Sequence, residues 1–84
     1  MEERIALVGI IVEDPDSVAQ LNAILHEYSA HIIGRMGLPC RDQGLSLISI
    51  AMRAPHSVIS AMSGKLGMLP GVSTKTVCAR TAEN

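Results

Sequence analysis

Residues 4–12, RIALVGIIV, are apolar at nearly every position and rich in β-branched side chains. A half-exposed strand alternates apolar and polar residues, because successive side chains leave opposite faces of the sheet. This run has no polar set. It reads as a strand covered on both faces, so the rest of the chain, or another chain, must supply a layer on each side of it.

The following segment, EDPDSVAQLNAILHEYS, carries the marks of an amphipathic helix. Asp14 is placed to cap it, Pro15 to occupy its first position and Asp16 to sit in its positive first turn. Val18, Leu21, Ile24, Leu25 and Tyr28 then recur at helical spacing. Two strands are predicted next, over about residues 31–39 and 45–53, joined through Cys40-Arg41-Asp42-Gln43-Gly44, with Pro39 ending the first. Pro55 opens a second helix carrying Val58, Ile59, Met62 and Leu66, and Gly67 closes it. LPGVSTKTVCA is a turn and a last strand. The order β-α-β-β-α-β predicts an α+β fold, the ferredoxin-like sandwich: a four-stranded antiparallel sheet with two helices on one face and strands one and three central. No linker, repeat or low-complexity segment interrupts the chain, so residues 1–84 read as a single domain.

In that fold the helices cover one side of the sheet only. Pairing the hairpin symmetrically about Asp42 sets Ile32 opposite Met52, Gly34 opposite Ile50, Met36 opposite Ile48 and Leu38 opposite Ser46, all expected on the helix side. The other side then pairs Ile33 with Ala51, Arg35 with Ser49 and Gly37 with Leu47. Strand one adds a full apolar set to that side. A monomer of this length buries only about 60–65% of its accessible surface on folding and is marginal. The expectation is therefore a homo-oligomer, dimer or tetramer, assembled through the open sheet face or the strand-two edge. Arg35, mid-strand among apolar neighbours, must find a carboxylate, a carbonyl or an anionic ligand. An inter-subunit salt bridge is the first expectation and a ligand anchor the second. Gly64 lies inside the second predicted helix at a cost of up to about 1 kcal/mol against Ala, which a close backbone approach or a frayed helix end would explain.

Composition removes several classes of function. The net charge is −1, and the seven cations, Arg4, Arg35, Arg41, Arg53, Lys65, Lys75 and Arg80, are scattered. Trp and Phe are absent and there is one Tyr, so neither a phosphate-tracking strip nor a base-stacking platform is available to bind nucleic acid. The N-terminal apolar run is too short for a membrane span or signal peptide, and the two cysteines, Cys40 and Cys78, have no CxxC spacing; a reduced, cytoplasmic setting is expected. His31 and Cys40 stand at opposite ends of one strand, about 30 Å apart at about 3.3 Å per residue, and do not chelate one ion. His26, His31, His56 and Cys78 do fall near one rim of the fold, which offers an alternative reading as a sensor for a transition metal. Otherwise no cofactor is expected. Cys40 beside Arg41 has the positive neighbour that lowers a thiol pKa, but the topology brings no base to it, and no enzyme is expected.

RMGLP (residues 35–39), Arg41, LSLIS (45–49), SGKLG (63–67) and GVSTKTV (71–77) together resemble the small regulators associated with iron-only hydrogenase systems, relatives of ACT domains and of the C-terminal sensor domain of nickel-responsive repressors. The resemblance runs over nearly the whole chain. It implies an ACT-like fold, oligomerisation through the sheet and a regulatory rather than catalytic role, exercised through a small anionic effector or a protein partner. Arg35, Gly37, Pro39, Arg41, Gly64 and Lys65 are the candidates to shape an interface or effector site. Where amino-acid-binding ACT domains commonly place glycine after proline in the first strand-helix loop, Pro15 is followed here by Asp16. Where the nickel sensors carry His-x-His, His31 is followed by Ile32 and Ile33.

Overall fold

The computed structural model describes residues 2–80; residue 1 and residues 81–84 of the expected single domain lie outside the described residues. Along the chain run β1 (Glu3–Val12), a 3-10 turn (Pro15–Ser17), α1 (Val18–Glu27), β2 (Ile32–Cys40), β3 (Leu45–Pro55), α2 (His56–Gly67) and β4 (Val72–Cys78). The strands form one antiparallel sheet in the order β2-β3-β1-β4. This is the ferredoxin-like arrangement expected, with β1 and β3 central.

The turn chemistry works as the sequence indicates. The Asp14 carboxylate accepts a hydrogen bond from the Asp16 amide at 2.9 Å, Pro15 begins the 3-10 turn, and the α-helix proper starts three residues later at Val18. Ser17, buried, donates from its hydroxyl to the Pro70 carbonyl at 2.6 Å, and the Glu13 amide donates to the Gly71 carbonyl at 2.7 Å. These bonds tie the β1–α1 loop to the α2–β4 turn. Gly71 has φ +69°, and a Cβ there would lie 2.7 Å from the Asp14 Cβ, so only glycine fits that contact.

β1 divides its apolar residues between two faces. Ala6, Val8, Ile10 and Val12 are buried beneath the helices, next to Ile50, Met52 and Ala54 of β3. Leu21 and Leu25 of α1 and Ile59, Met62 and Leu66 of α2 close that layer from above. Burial of each large side chain contributes about 1.5–3 kcal/mol before the cost of ordering it. The other residues of β1, Ile5, Leu7, Gly9 and Ile11, point away from the helices and are exposed.

The hairpin departs from the symmetric pairing. Ile32 faces Met52 as expected, but the register then shifts between Ile32 and Gly34, and from there Gly34 pairs with Ala51, Arg35 with Ile50, Met36 with Ser49, Gly37 with Ile48 and Leu38 with Leu47. One extra residue, Ile33, is accommodated as a β-bulge. A shift of one position exchanges the two faces of a strand. Met36 and Leu38, expected under the helices, are therefore on the open face at 60% and 55% exposure. Arg35 and Gly37, expected on the open face, are on the helix side, opposite Ile50 and Ile48. Pro39 does not end the strand, which continues one residue to Cys40 before a 3-10 turn and Gly44 at φ +69°. No residue from Ile33 to Pro39 is buried, so this edge strand carries little cover on either side.

Candidate functional site

Cross-strand pairing orders the open face into three rows running β2-β3-β1-β4: Leu38, Leu47, Ile11 and Ser73; Met36, Ser49, Gly9 and Lys75; Gly34, Ala51, Leu7 and Val77. Ile5 and Arg53 extend it beyond the third row. Leu7 is 53% exposed and Val77 67%, values far from those of a core. Seven large apolar side chains in this state place on the order of 600 Å² of apolar surface in one layer, at the upper limit of the roughly 300–600 Å² that a monomer ordinarily shows. The middle row is lower than its neighbours because Gly9 has no side chain. A dent of about 370 Å³ lies there, lined by Gly9, Ile11, Leu47, Ser73 and Lys75 among others.

On the helix side, β2 and α1 enclose a second feature. Asn22, His26 and Ser29 follow one ridge of α1 and its 3-10 extension, and with Leu25, Ile32 and Arg35 they line a groove of about 340 Å³. The Arg35 guanidinium donates through Nη2 to the Asn22 side-chain oxygen at 3.3 Å. Among the described residues Arg35 has no acidic partner.

The other predicted site residues do not join this groove. Gly37 and Pro39 lie farther along β2, and Arg41 is exposed in the hairpin turn. Gly64 faces the opposite edge of the sheet, in a groove of about 540 Å³ between α2 and β4 with Ser60, Ser63, Thr74 and Thr76. The expected close approach at Gly64 is absent among the described residues, since a Cβ built there meets nothing within 4 Å, and the residue is helical, in the last turn before Gly67. Lys65 is occupied: its ammonium lies 2.8 Å from Glu27 Oε2 and 5.1 Å from the centre of the Tyr28 ring. Its hydrogen bond to Glu27, and next that to Tyr28, raise its pKa above the ordinary lysine value. The hydrophobic spacing could not reveal Asn22 and Ser29 as groove residues, because both stand on the polar side of α1.

The four metal candidates are dispersed. His56 and Cys78 line the α2–β4 groove, His26 the α1–β2 groove, and His31 a third depression with Glu3 and Arg53. Among the described residues no group of three or more His, Cys, Asp or Glu side chains converges as a metal site, so the expected rim cluster is not assembled. The strand directions bring these residues to one end of the fold, but they leave that end from different elements and on different sides.

Comparison with known proteins adds the following. Residues 4–76 match the family described as "TM1266-like: Iron-only hydrogenase system regulator, putative". The uncharacterized protein TM1266 from Thermotoga maritima has a similar structure, with a TM-score of 0.90 and 34% sequence identity over 94% of this chain and 100% of that one. A formyltetrahydrofolate deformylase from Pseudomonas putida KT2440 matches at a TM-score of 0.63 and 10% identity, over 87% of this chain and 28% of its own. An unknown protein from Galdieria sulphuraria matches at a TM-score of 0.63 and 18% identity, over 94% of this chain and 46% of its own. The last two similarities concern the fold alone. No curated protein matches the sequence.

Proposed function

The chain belongs to the TM1266-like family, whose description is that of a regulator of an iron-only hydrogenase system, and from that membership we propose that it is a non-enzymatic regulatory module built as a homo-oligomer. The observation that carries this reading is the open sheet face. Its first and third rows are largely apolar, the middle row holds Met36, Ser49, Gly9 and Lys75, and the bulge at Ile33 clears Arg35 from this face and puts Met36 there instead. The occupant is a second copy of the chain. A stable interface needs about 800 Å² per partner, and the apolar side chains supply most of that, with Ser73 and Arg53 toward the border and Ser49 and Lys75 as polar groups in the middle row. Two such sheets stack about 10 Å apart, and ridges from Leu7 and Ile11 of one copy have the low Gly9 row of the other to enter. Such an assembly regulates by holding an effector or presenting a surface to a partner protein. Both cysteines are free, which suits a reducing cytoplasm, and no helix among the described residues is long and apolar enough to cross a membrane.

Replacing Leu7 and Leu47 together by Lys tests the interface. Both side chains stand on the open face, so circular dichroism should remain native while the mass in solution falls to that of one chain. An unchanged assembly with both charges in place would overturn the reading and move the contact to the β2 edge.

A further inference from the structure

The α1–β2 groove deepens the proposed function, resting on it for the purpose of a ligand but not for the chemistry. We propose that this groove binds a small monocarboxylate with a short apolar body, and that Arg35 is its anchor.

Three observations converge on it. The first is the bulge. Without the extra residue Ile33, alternation along β2 from Ile32 would send Arg35 to the open face; with it, the guanidinium lies against α1. Bulges commonly serve to re-aim one side chain, and this one re-aims the only cation of the strand. The second is the state of that cation. A guanidinium has five N–H donors in a planar fork, and the contact with Asn22 Oδ1 uses one nitrogen at 3.3 Å, a long bond to a neutral acceptor. Among the described residues no carboxylate neutralises it, whereas Lys65, the cation that meets α1 from α2, is already paired with Glu27. Arg35 is exposed, so water can hold its remaining donors, and Asn22 orients the fork while leaving those donors open to an incoming ligand.

The third observation is the lining. Leu25 and Ile32 make the groove partly apolar, while His26 and Ser29 stand on the same ridge as Asn22 and add hydrogen-bonding groups. One fixed positive charge, further hydrogen-bonding side chains and an apolar floor suit a monoanion whose carboxylate takes the fork in a bidentate pair and whose carbon atoms cover Leu25 and Ile32. A phosphate dianion would find one cation where it needs two or more. The volume, about 340 Å³, lies at the low end of ligand pockets and holds a body of a few carbon atoms.

The test is titration of the isotopically labelled full chain with sodium propionate, followed through backbone amide shifts, with inorganic phosphate and sodium chloride as parallel arms. Propionate should shift Asn22, His26, Ser29 and Arg35 saturably, with a Kd on the order of 1 mM for so small a ligand. Arg35→Gln should weaken it by about tenfold or more, as loss of a charge-assisted pair requires. Sodium chloride should produce no saturable change. Non-saturable or scattered shifts, an unaltered Kd in Arg35→Gln, or tighter binding of phosphate would each overturn the proposal. Light scattering on the same samples separates this site from the assembly: Arg35→Gln should keep the wild-type mass, and a wild-type protein that binds propionate as a monomer would defeat the oligomer while leaving the groove standing.

Discussion

Gly71 and Gly44 share a φ of +69°, yet they meet different surroundings. At Gly44, in the hairpin turn, a Cβ would touch nothing within 4 Å, so Gly44→Ala carries only the cost of the left-handed backbone, about 1–2 kcal/mol. At Gly71 the same cost is joined by contacts of 2.7 Å to the Asp14 Cβ and 2.9 Å to the Asp14 amide nitrogen, both in a loop held by two hydrogen bonds. Gly71→Ala should therefore lose about 3 kcal/mol or more, measured by urea unfolding, against about 1–2 kcal/mol for Gly44→Ala. Equal losses would show that the Asp14 contact yields at no cost. Arg35 shows what was readable at this scale and what was not. A lone guanidinium among apolar residues is conspicuous in the sequence, and Arg35 proves exposed, where water can serve as its partner. Its direction is not legible in the sequence, because that depends on whether one residue two positions earlier is paired or bulged.

At the scale of elements, caps, prolines and hydrophobic spacing located both helices and all four strands, since each signal is local. The pairing register of β2 is not local. Symmetric pairing about Asp42 would put Ile32, Met36 and Leu38 under the helices, whereas the bulged register keeps Ile32 there and turns Met36 and Leu38 outward, so hydrophobic pattern alone favours the register that the structure does not adopt. What the symmetric choice missed is the pair Met36 and Leu38 on the open face and Asn22 and Ser29 beside Arg35. α2 offers a sharper reading. Gly64 is helical and faces open space, so Gly64→Ala should stabilise the protein by about 0.5–1 kcal/mol and raise its melting temperature by several degrees. The assembly should be unaffected. A lower melting temperature, or dissociation, would mean that a second copy packs on α2 instead of on the sheet.

For the whole molecule, the apolar run of β1 states the problem that assembly is proposed to solve. Its even positions lie in a core at 0–3% exposure, while Leu7, on the other face, remains 53% bare. Intramolecular packing thus meets half of the requirement written in residues 4–12. The expectation of a second layer follows from periodicity; the identity of that layer was not legible, because the described residues contain no further element to provide it. The three histidines and Cys78 illustrate the opposite limit, since topology brought them to one end but could not say that their side chains diverge. The direct test is the mass of the wild-type chain by sedimentation equilibrium at micromolar concentration. The account predicts a dimer or tetramer, twice or four times the 8.9 kDa of one chain. A single species of 8.9 kDa across that range would contradict it.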